Sequence, residues 1–324
     1  MKRSTIILFC GAAVAALALL GTGRSAAQAP PAPAPLFDAA FWKQWGDGQA
    51  EISSYDLTYP RYNSPRNGVA VTIFVTEPFS LSARVKADPG KHSDADVFPV
   101  MKLNLVEDFQ TGVYDYNEMT SAFVSLGAIA KRPAGTVTKV TFSSQEWCGH
   151  TWLQIIPDPG KWRATGHSYF DGEGEMQREL VSTDVSMSED QMMHWARGMA
   201  IPVVPPGTEV EVQLLPSLQS SRHQHRELAW KRARLTHVAG TTAMTVPAGK
   251  FQVDTFKVAQ IGGPTKVFYV ENGGAKRLVK WESSTGEHAE LVRSERMKYW
   301  ERNKPGDEKD LSKLGLLLRP RRTP

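Results

Sequence analysis

The sequence lacks the features that mark several simple classes of protein. It has two cysteines among 324 residues, which excludes a scaffold stapled by several disulfides. Its apolar run from Ile6 to Leu20 is shorter than the ~20 residues that span a bilayer. It contains no G-x-S-x-G, phosphate-loop or H-E-x-x-H motif, so no reaction is specified by a motif. The composition, 41% apolar and 22% charged, is that of an ordinary globular protein.

The N-terminus has the pattern of a secretory signal peptide. Lys2 and Arg3 precede the apolar run, and the small residues at 25–27 follow it. We therefore expect cleavage near Ala27 and export to the periplasm or the cell exterior. Residues 28–35 are rich in proline and alanine, which predicts an extended linker.

The excess of positive charge lies at the two ends of the chain. The net +4 divides into +3 on residues 1–27, −3 on residues 28–297 and +4 on residues 298–324. A body that carries negative charge argues against nucleic acid as a partner. Residues 304–324 are expected to form a basic, disordered tail.

Alternation of apolar and polar residues dominates the mature chain. The segment 69–76 is rich in β-branched residues, and 101–105 alternates with a period of two. The pattern predicts an all-β fold of about twelve strands, arranged as a large antiparallel sheet, half-barrel, barrel or sandwich. One or two short helices are expected, over 36–45 and over 190–199, the second capped by Ser188.

The clearest pattern lies towards the C-terminus. Short glycine-containing turns separate four strand-like segments, at 251–261, 265–270, 278–282 and 289–294. Turns this short join antiparallel neighbours, so a β-meander is predicted. The β-rich domain is expected to span 36–303, with a possible seam near 190–206.

Cys148 and His150 form the most reactive pair of residue types in the chain. Two residues apart on a strand, their side chains would share a face, and an imidazole can lower the pKa of a thiol. They are therefore the candidates for catalysis in an exported hydrolase. The alternative is structural, because a lone free cysteine is most often a small buried residue.

His223 and His225 are the candidates for a metal site. On a strand they would present two imidazoles on one face, but zinc needs three or four ligands, and no further spaced ligand is evident. An exposed polar edge is the alternative. No cofactor is expected.

The abundance of tryptophan suggests a binding surface. The chain has nine tryptophans, and indole rings stack on sugars and line lipid cavities. The candidates for ligand binding are Trp147, Trp152, Trp162 and His167. The alternative for the tryptophans is packing in a β-sheet core.

Several segments together resemble an uncharacterised family of exported bacterial β-rich proteins. The resemblance covers roughly residues 42–300 and rests on four segments, W45-GDGQAE, I73-FVTE, T141-FSSQEWC and H167-SYF. The C-terminal part also resembles a broader exported domain of unknown function, with its V246-PAGKF turn and L278-VKW strand. These resemblances imply a large antiparallel sheet or half-barrel, similar in shape to periplasmic lipid carriers, and no activity.

Members of that family are often labelled septum formation inhibitor Maf. The Maf enzymes are cytoplasmic nucleotide pyrophosphatases with an α/β fold, and only the segment 215–222 superficially resembles their S-x-S-x-x-R loop. The β-rich pattern and the signal peptide disagree with that identity. We therefore expect the label to be a misnomer.

The leading hypothesis is a non-enzymatic envelope protein that binds an amphiphile, such as a lipid, or another envelope component. Membrane association is expected to be peripheral at most. The alternatives are the hydrolase that would use Cys148 and His150, and a module that binds another protein through a sheet edge or its basic tail. The oligomeric state is not specified by any pattern.

Overall fold

Sixteen strands form one sheet in the computed structural model, which describes residues 36–318. In chain order, β1 to β16 are Ala50–Arg61, Ser64–Ser80, Val97–Thr111, Tyr114–Ser125, Val137–Glu146, Gly149–Asp158, Lys161–Ser168, Glu175–Val181, Ser186–Ser188, Thr208–Leu215, Lys231–His237, Thr242–Val246, Gly249–Gln260, Thr265–Glu271, Leu278–Ser283 and His288–Met297.

The sheet is mostly antiparallel and is not closed. Strands β8 to β1 lie side by side in reverse chain order, and β1 then pairs with β16. The order continues from β16 back to β13, then to β11, β10 and β9, while β12 pairs with β13. Only β9 and β10 pair in parallel among the described strands. The all-β, antiparallel prediction is confirmed, with more strands than the alternation of residues had indicated.

The predicted C-terminal meander is present as β13 to β16. Each strand pairs with the next in antiparallel register, for example Phe256 with Phe268 and Phe268 with Trp281. Gly262, Gly273 and Gly286 in the turns have positive φ, which suits residues without a Cβ. The meander could be predicted because short turns restrict its topology.

Three short α-helices accompany the sheet: α1 (Ala39–Trp45), α2 (Met192–Ala196) and α3 (Leu218–His223). Helix α2 is shorter than the segment 190–199, because a 3-10 turn over Glu189–Gln191 precedes it. The Ser188 cap is confirmed, with a capping box completed by Gln191.

The prediction of a strand that carries His223 and His225 is wrong. His223 ends helix α3, and His225 has a positive φ just beyond it. Ser217 caps this helix by accepting a hydrogen bond from the Ser220 backbone N–H, so the chain turns into a helix rather than continuing β10.

The inner side of the sheet is filled with apolar side chains. Helix α2 contributes Met192 and Trp195 to a cluster that contains Phe74, Leu103 and residues of the C-terminal meander. The Trp195 indole N–H donates to the Pro202 carbonyl at 2.9 Å. Burial of aromatic and aliphatic side chains on this scale supplies the main stabilisation of the fold.

Residues near the C-terminus are more ordered than the expected tail. Asp307–Leu314 form a 3-10 helix, and Leu314 is buried in an apolar cluster with Ala50, Ile52 and Val75. The Ser54 hydroxyl donates to the Leu314 carbonyl. The segment Asp307–Leu314 is therefore folded against the sheet, where a disordered tail was expected. No helix in residues 36–318 is long and apolar enough to cross a membrane.

Candidate functional site

A polar cleft lies against helix α3, at the ends of the β1–β2 and β15–β16 hairpins. Its volume is about 810 Å³. We call it the polar cleft, and its lining includes Tyr59, Arg61, Tyr62, Glu189, Ser217, Gln219, Ser220, His223, Gln224, Gln260, Lys266, Ser283, Thr285 and Glu287. Amide, hydroxyl and ionisable groups thus make up most of these side chains.

Two glutamates lie beside the polar cleft, on facing positions of the sheet. Glu107 on β3 and Glu118 on β4 are direct partners in the antiparallel ladder, and each is 2% exposed. Like charges placed opposite each other in a ladder are destabilising. Such an arrangement needs compensation from neighbouring donors.

Helix α3 supplies that compensation through Gln219 and His223, which lie one turn apart on the same face. The Gln219 side-chain amide donates to Glu107 at 2.7 Å and to Glu118 at 2.9 Å. His223 Nε2 lies 2.7 Å from Glu118, and its Nδ1 lies 2.9 Å from the Tyr59 hydroxyl. The Tyr59–His223–Glu118 chain therefore joins the cleft to the buried acids.

The two glutamates differ in their hydrogen bonding and in their pKa. Glu118 accepts three side-chain hydrogen bonds, including one from Ser144 at 2.8 Å. Burial acts to raise its pKa, but the adjacent His223 and these donors hold the pKa below its usual range. Burial, then the charges of Glu287 and Glu118, raises the pKa of Glu107 to about 8.

One oxygen of Glu107 is left without a partner. Its Oε2 accepts from Gln219, whereas its Oε1 is buried and has no hydrogen-bond partner within residues 36–318. Unsatisfied buried polar atoms are uncommon in folded proteins, and each one needs an explanation, such as a functional role or a bound water or ion.

Another wall of the polar cleft has a half-buried lysine between two acids. Lys266 Nζ lies 3.1 Å from Glu287 and 3.8 Å from Glu189. Burial disfavours the charged amine, but Glu287 and Glu189 outweigh it and raise the pKa of Lys266. The Trp281 indole N–H fixes Glu287 by donating to it at 2.7 Å. This wall therefore has two acids against one base.

A stack of buried aromatic rings lies behind the exposed Tyr62 at the cleft. Tyr59, Phe109 and Tyr116 stack in sequence, with ring centroids 4.8 Å and 5.0 Å apart. The Tyr62 hydroxyl lies 2.7 Å from that of Tyr116, and Tyr62 is 53% exposed. Tyr62 therefore presents an aromatic ring at the cleft and contacts the buried stack through its hydroxyl group.

Cys148 and His150 lie away from the polar cleft. Cys148 is a free thiol exposed in the turn between β5 and β6, and His150 is exposed on β6. No hydrogen bond joins them in the described part of the chain. The expected pair is therefore close in space without the contact that activates a nucleophile.

The tryptophan candidates separate into two groups. Trp152 and His167 are register partners, with stacked rings whose centroids are 5.9 Å apart, and Trp147 is exposed in the nearby turn. Trp162 lies instead in the core, where it packs edge-on against Trp230.

His223 and His225 do not converge. His223 points towards Glu118, whereas His225 is exposed and contacts Glu173 at 2.6 Å. Within residues 36–318 no group of three or more histidine, cysteine or acidic side chains could hold a metal ion.

Glu107 and Glu118 were missed as candidates, although the sequence carried a signal for them. Thr111 pairs with Tyr114 around the turn at Gly112, and counting back from that turn sets Glu107 opposite Glu118. Two acids that face each other on the buried face of a hairpin form an unusual pair, which no sequence motif marks.

Comparisons with known proteins find a weak structural similarity. No family model and no curated protein matches the chain. A solved structure, a β-barrel-like protein of the domain of unknown function DUF1849 from Brucella abortus, aligns with a TM-score of 0.42 and 12% identity. The alignment covers 76% of this chain and 98% of that one.

Proposed function

We propose that the chain is an exported, non-enzymatic binding protein whose polar cleft holds a small hydrophilic component of the cell envelope. The observation that carries the proposal is the polar cleft itself, about 810 Å³ and lined mainly by polar side chains. Beside it lies the buried, half-satisfied Glu107. Binding sites combine shape with a few convergent polar groups, and buried groups with displaced pKa values mark such sites.

The chemistry of the lining favours a molecule rich in hydroxyl and amino groups. Gln224 and Gln260 can each donate and accept, the Gln219 side-chain carbonyl can accept, and serine and threonine hydroxyls lie among them. The wall around Lys266 has two acids, Glu189 and Glu287, against this one base, which favours a ligand that carries an amine. The exposed ring of Tyr62 suits the apolar face of a sugar. An amino sugar combines these features.

An acyl chain fits this arrangement less well. The apolar interior of the sheet is occupied by side chains of the core, including Met192 and Trp195 of helix α2. The space of the polar cleft is lined by charged and amide groups, which a lipid tail would desolvate without replacing their hydrogen bonds. We therefore propose the hydrophilic alternative rather than a lipid.

Calorimetric titration of the mature protein tests the proposal. The probes are the disaccharide of glucosamine, the corresponding glucose disaccharide and dodecanoate. We expect the glucosamine disaccharide to bind at least tenfold more tightly than the glucose disaccharide. The reason is that its amine gains about 1.4 kcal/mol of additional interaction with the acids, which corresponds to a tenfold change. Dodecanoate is expected not to bind.

Two matched variants place the binding site. Ser220→Trp inserts an indole at a half-buried lining position and should abolish binding. Thr245→Trp makes the same change at an exposed position of β12, outside the cleft, and should leave binding intact. Equal behaviour of the two variants, or binding of dodecanoate alone, would contradict the proposal.

A further inference from the structure

A second group of exposed side chains occupies the outer face of the sheet, across β5 to β8. Trp152 pairs in register with Ser143 on one side and with His167 on the other, and His167 pairs with Glu175. The alternate residues Ser144 and Thr151 are buried. Because side chains alternate between faces, Trp152 and its partners point away from the core and the polar cleft.

Tyr169 lies next to this group and packs against the start of β6. It is 77% exposed, yet a Cβ placed on Gly149 would come within 2.6 Å of its ring. The ring edge therefore contacts the Gly149 backbone while most of the side chain stays open to solvent. The absence of a side chain at residue 149 creates the seat for the ring.

Trp152 is held in a comparable way. It is 38% exposed, and its ring stacks on His167, whose Nδ1 lies 3.0 Å from Glu175. The carboxylate thereby fixes the imidazole, and the imidazole supports the indole. Two supported aromatic rings differ from apolar residues scattered singly on a surface.

The groups between the rings are polar. A shallow depression of about 580 Å³ is lined by Trp152, Tyr169 and His167, together with Ser143, Gln145 and His150. Serine and glutamine offer neutral donors and acceptors beside the ring surfaces. We call this surface the aromatic platform and define it by these six residues.

We propose that the aromatic platform binds a neutral glycan chain. Sugar rings have an apolar C–H face that packs on an aromatic ring and hydroxyl groups at their edges that take hydrogen bonds from neutral polar side chains. A protein partner would need a drier, more apolar centre than this mixture supplies. The open shape suits an extended chain, in contrast to the enclosed polar cleft.

The hexamer of N-acetylglucosamine is the probe, and its binding is followed by quenching of tryptophan fluorescence and by calorimetry. Tyr169→Ala should weaken binding on the order of tenfold, which corresponds to the loss of about 1.4 kcal/mol. Trp300→Ala removes a ring that is 44% exposed elsewhere and should leave the affinity unchanged.

Gly149→Ala tests whether the lack of a side chain at residue 149 positions the Tyr169 ring. The added methyl group must displace Tyr169, so affinity should fall about as far as in Tyr169→Ala, while Trp152 still responds to the sugar. If the loss came only from local misfolding, the far-ultraviolet circular dichroism and the unfolding midpoint would change as well. Unchanged affinity in both variants would overturn the proposal.

The proposals for the polar cleft and for the aromatic platform can be tested independently. Ser220→Trp blocks the polar cleft on the inner side and should leave hexamer binding at the aromatic platform unchanged. A hexamer affinity that falls in Ser220→Trp and survives Tyr169→Ala would assign the glycan to the polar cleft and overturn the platform. Absence of hexamer binding to the unmodified protein, with capture of a protein partner lost in Tyr169→Ala, would also overturn it.

Discussion

Two sets of buried charges in this sheet are built in opposite ways. Arg197, at the C-terminus of helix α2, donates to both oxygens of Glu51 at 2.7 and 3.1 Å and to the carbonyls of Lys276 and Ala275. Its guanidinium also lies 4.3 Å from the centre of the Phe74 ring. Beside the polar cleft, by contrast, Glu107 faces another acid and keeps one oxygen without a partner.

The Arg197–Glu51 pair is a structural ion pair, whereas the unpaired oxygen of Glu107 indicates a purpose other than stability. A buried pair is tolerated when each of its atoms is satisfied, as the Arg197–Glu51 pair is. Glu107 faces another acid, which makes its burial more costly. An amide at this position could make the same contribution to the fold without that cost. We infer that Glu107 is retained because it serves the polar cleft. The same change, glutamate to glutamine, made at Glu51 and at Glu107 tests this inference.

The largest effect is expected for Glu51→Gln. The variant leaves the buried guanidinium of Arg197 without an opposite charge, so the free energy of unfolding should fall by about 3–5 kcal/mol. Urea denaturation followed by circular dichroism measures it. Glu295→Gln, at an exposed position of β16, is the matched control and should change stability by less than about 0.5 kcal/mol.

Glu107→Gln should have the opposite effect, and the effect should depend on pH. Because the pKa of Glu107 is raised to about 8 in the folded state, the unfolded chain releases this proton from about pH 4.5 upward while the folded protein retains it. The wild type therefore loses stability as pH rises from about 4.5 to 8.

The glutamine variant has no such proton, so its stability relative to wild type should grow across that range, by on the order of 2–4 kcal/mol. Denaturation curves at pH 5, 6.5 and 8 measure the difference. A constant difference between the two proteins over these pH values would show that Glu107 titrates normally.

A smaller effect is expected in the apolar core, at His194 of helix α2. Burial, followed by the charge of Arg197, lowers the pKa of His194 to about 3. Neither ring nitrogen makes a hydrogen bond of good geometry in residues 36–318, and the weak contact with the Met101 backbone only partly opposes the lowering of the pKa. Replacing His194 with leucine should stabilise the protein by about 1–2 kcal/mol at neutral pH, since poorly satisfied buried nitrogens are removed.

The gain from His194→Leu should increase as pH falls. The unfolded histidine takes up a proton below about pH 6.5, whereas the folded one stays neutral until about pH 3, so the wild type loses stability over that interval. Thermal unfolding at pH 7 and pH 4.5 compares the two proteins. A smaller gain at the lower pH would contradict the assigned pKa.

The fold was predictable where sequence restricts geometry locally. Short glycine turns set the meander of β13 to β16, and Ser188 marked the start of the interior helix. Helix α3 was mistaken for a strand because two histidines alternate there, while the deciding feature, the Ser217 cap, is a single side chain. Local sequence patterns thus predicted the meander and the interior helix but assigned helix α3 wrongly.

The polar cleft could not be predicted from motifs, because it is assembled from distant segments. Gln219 of helix α3 meets Glu107 and Glu118 across more than 100 residues of chain. The outer candidates Trp152 and His167 came together because neighbouring strands in a hairpin bring nearby residues into register. Proximity in the sequence therefore brought residues of the aromatic platform to attention, whereas the polar cleft is recognised only from the order of strands in the sheet.

The most direct measurement compares the free energies of unfolding of Glu107→Gln and Glu51→Gln at pH 8, each against the wild type. If Glu107 is held in its buried, half-satisfied state for the polar cleft, its variant should be more stable than the wild type, while the Glu51 variant is less stable. Destabilisation of both variants to a similar extent would show that the two acids serve the fold alike and would contradict this account.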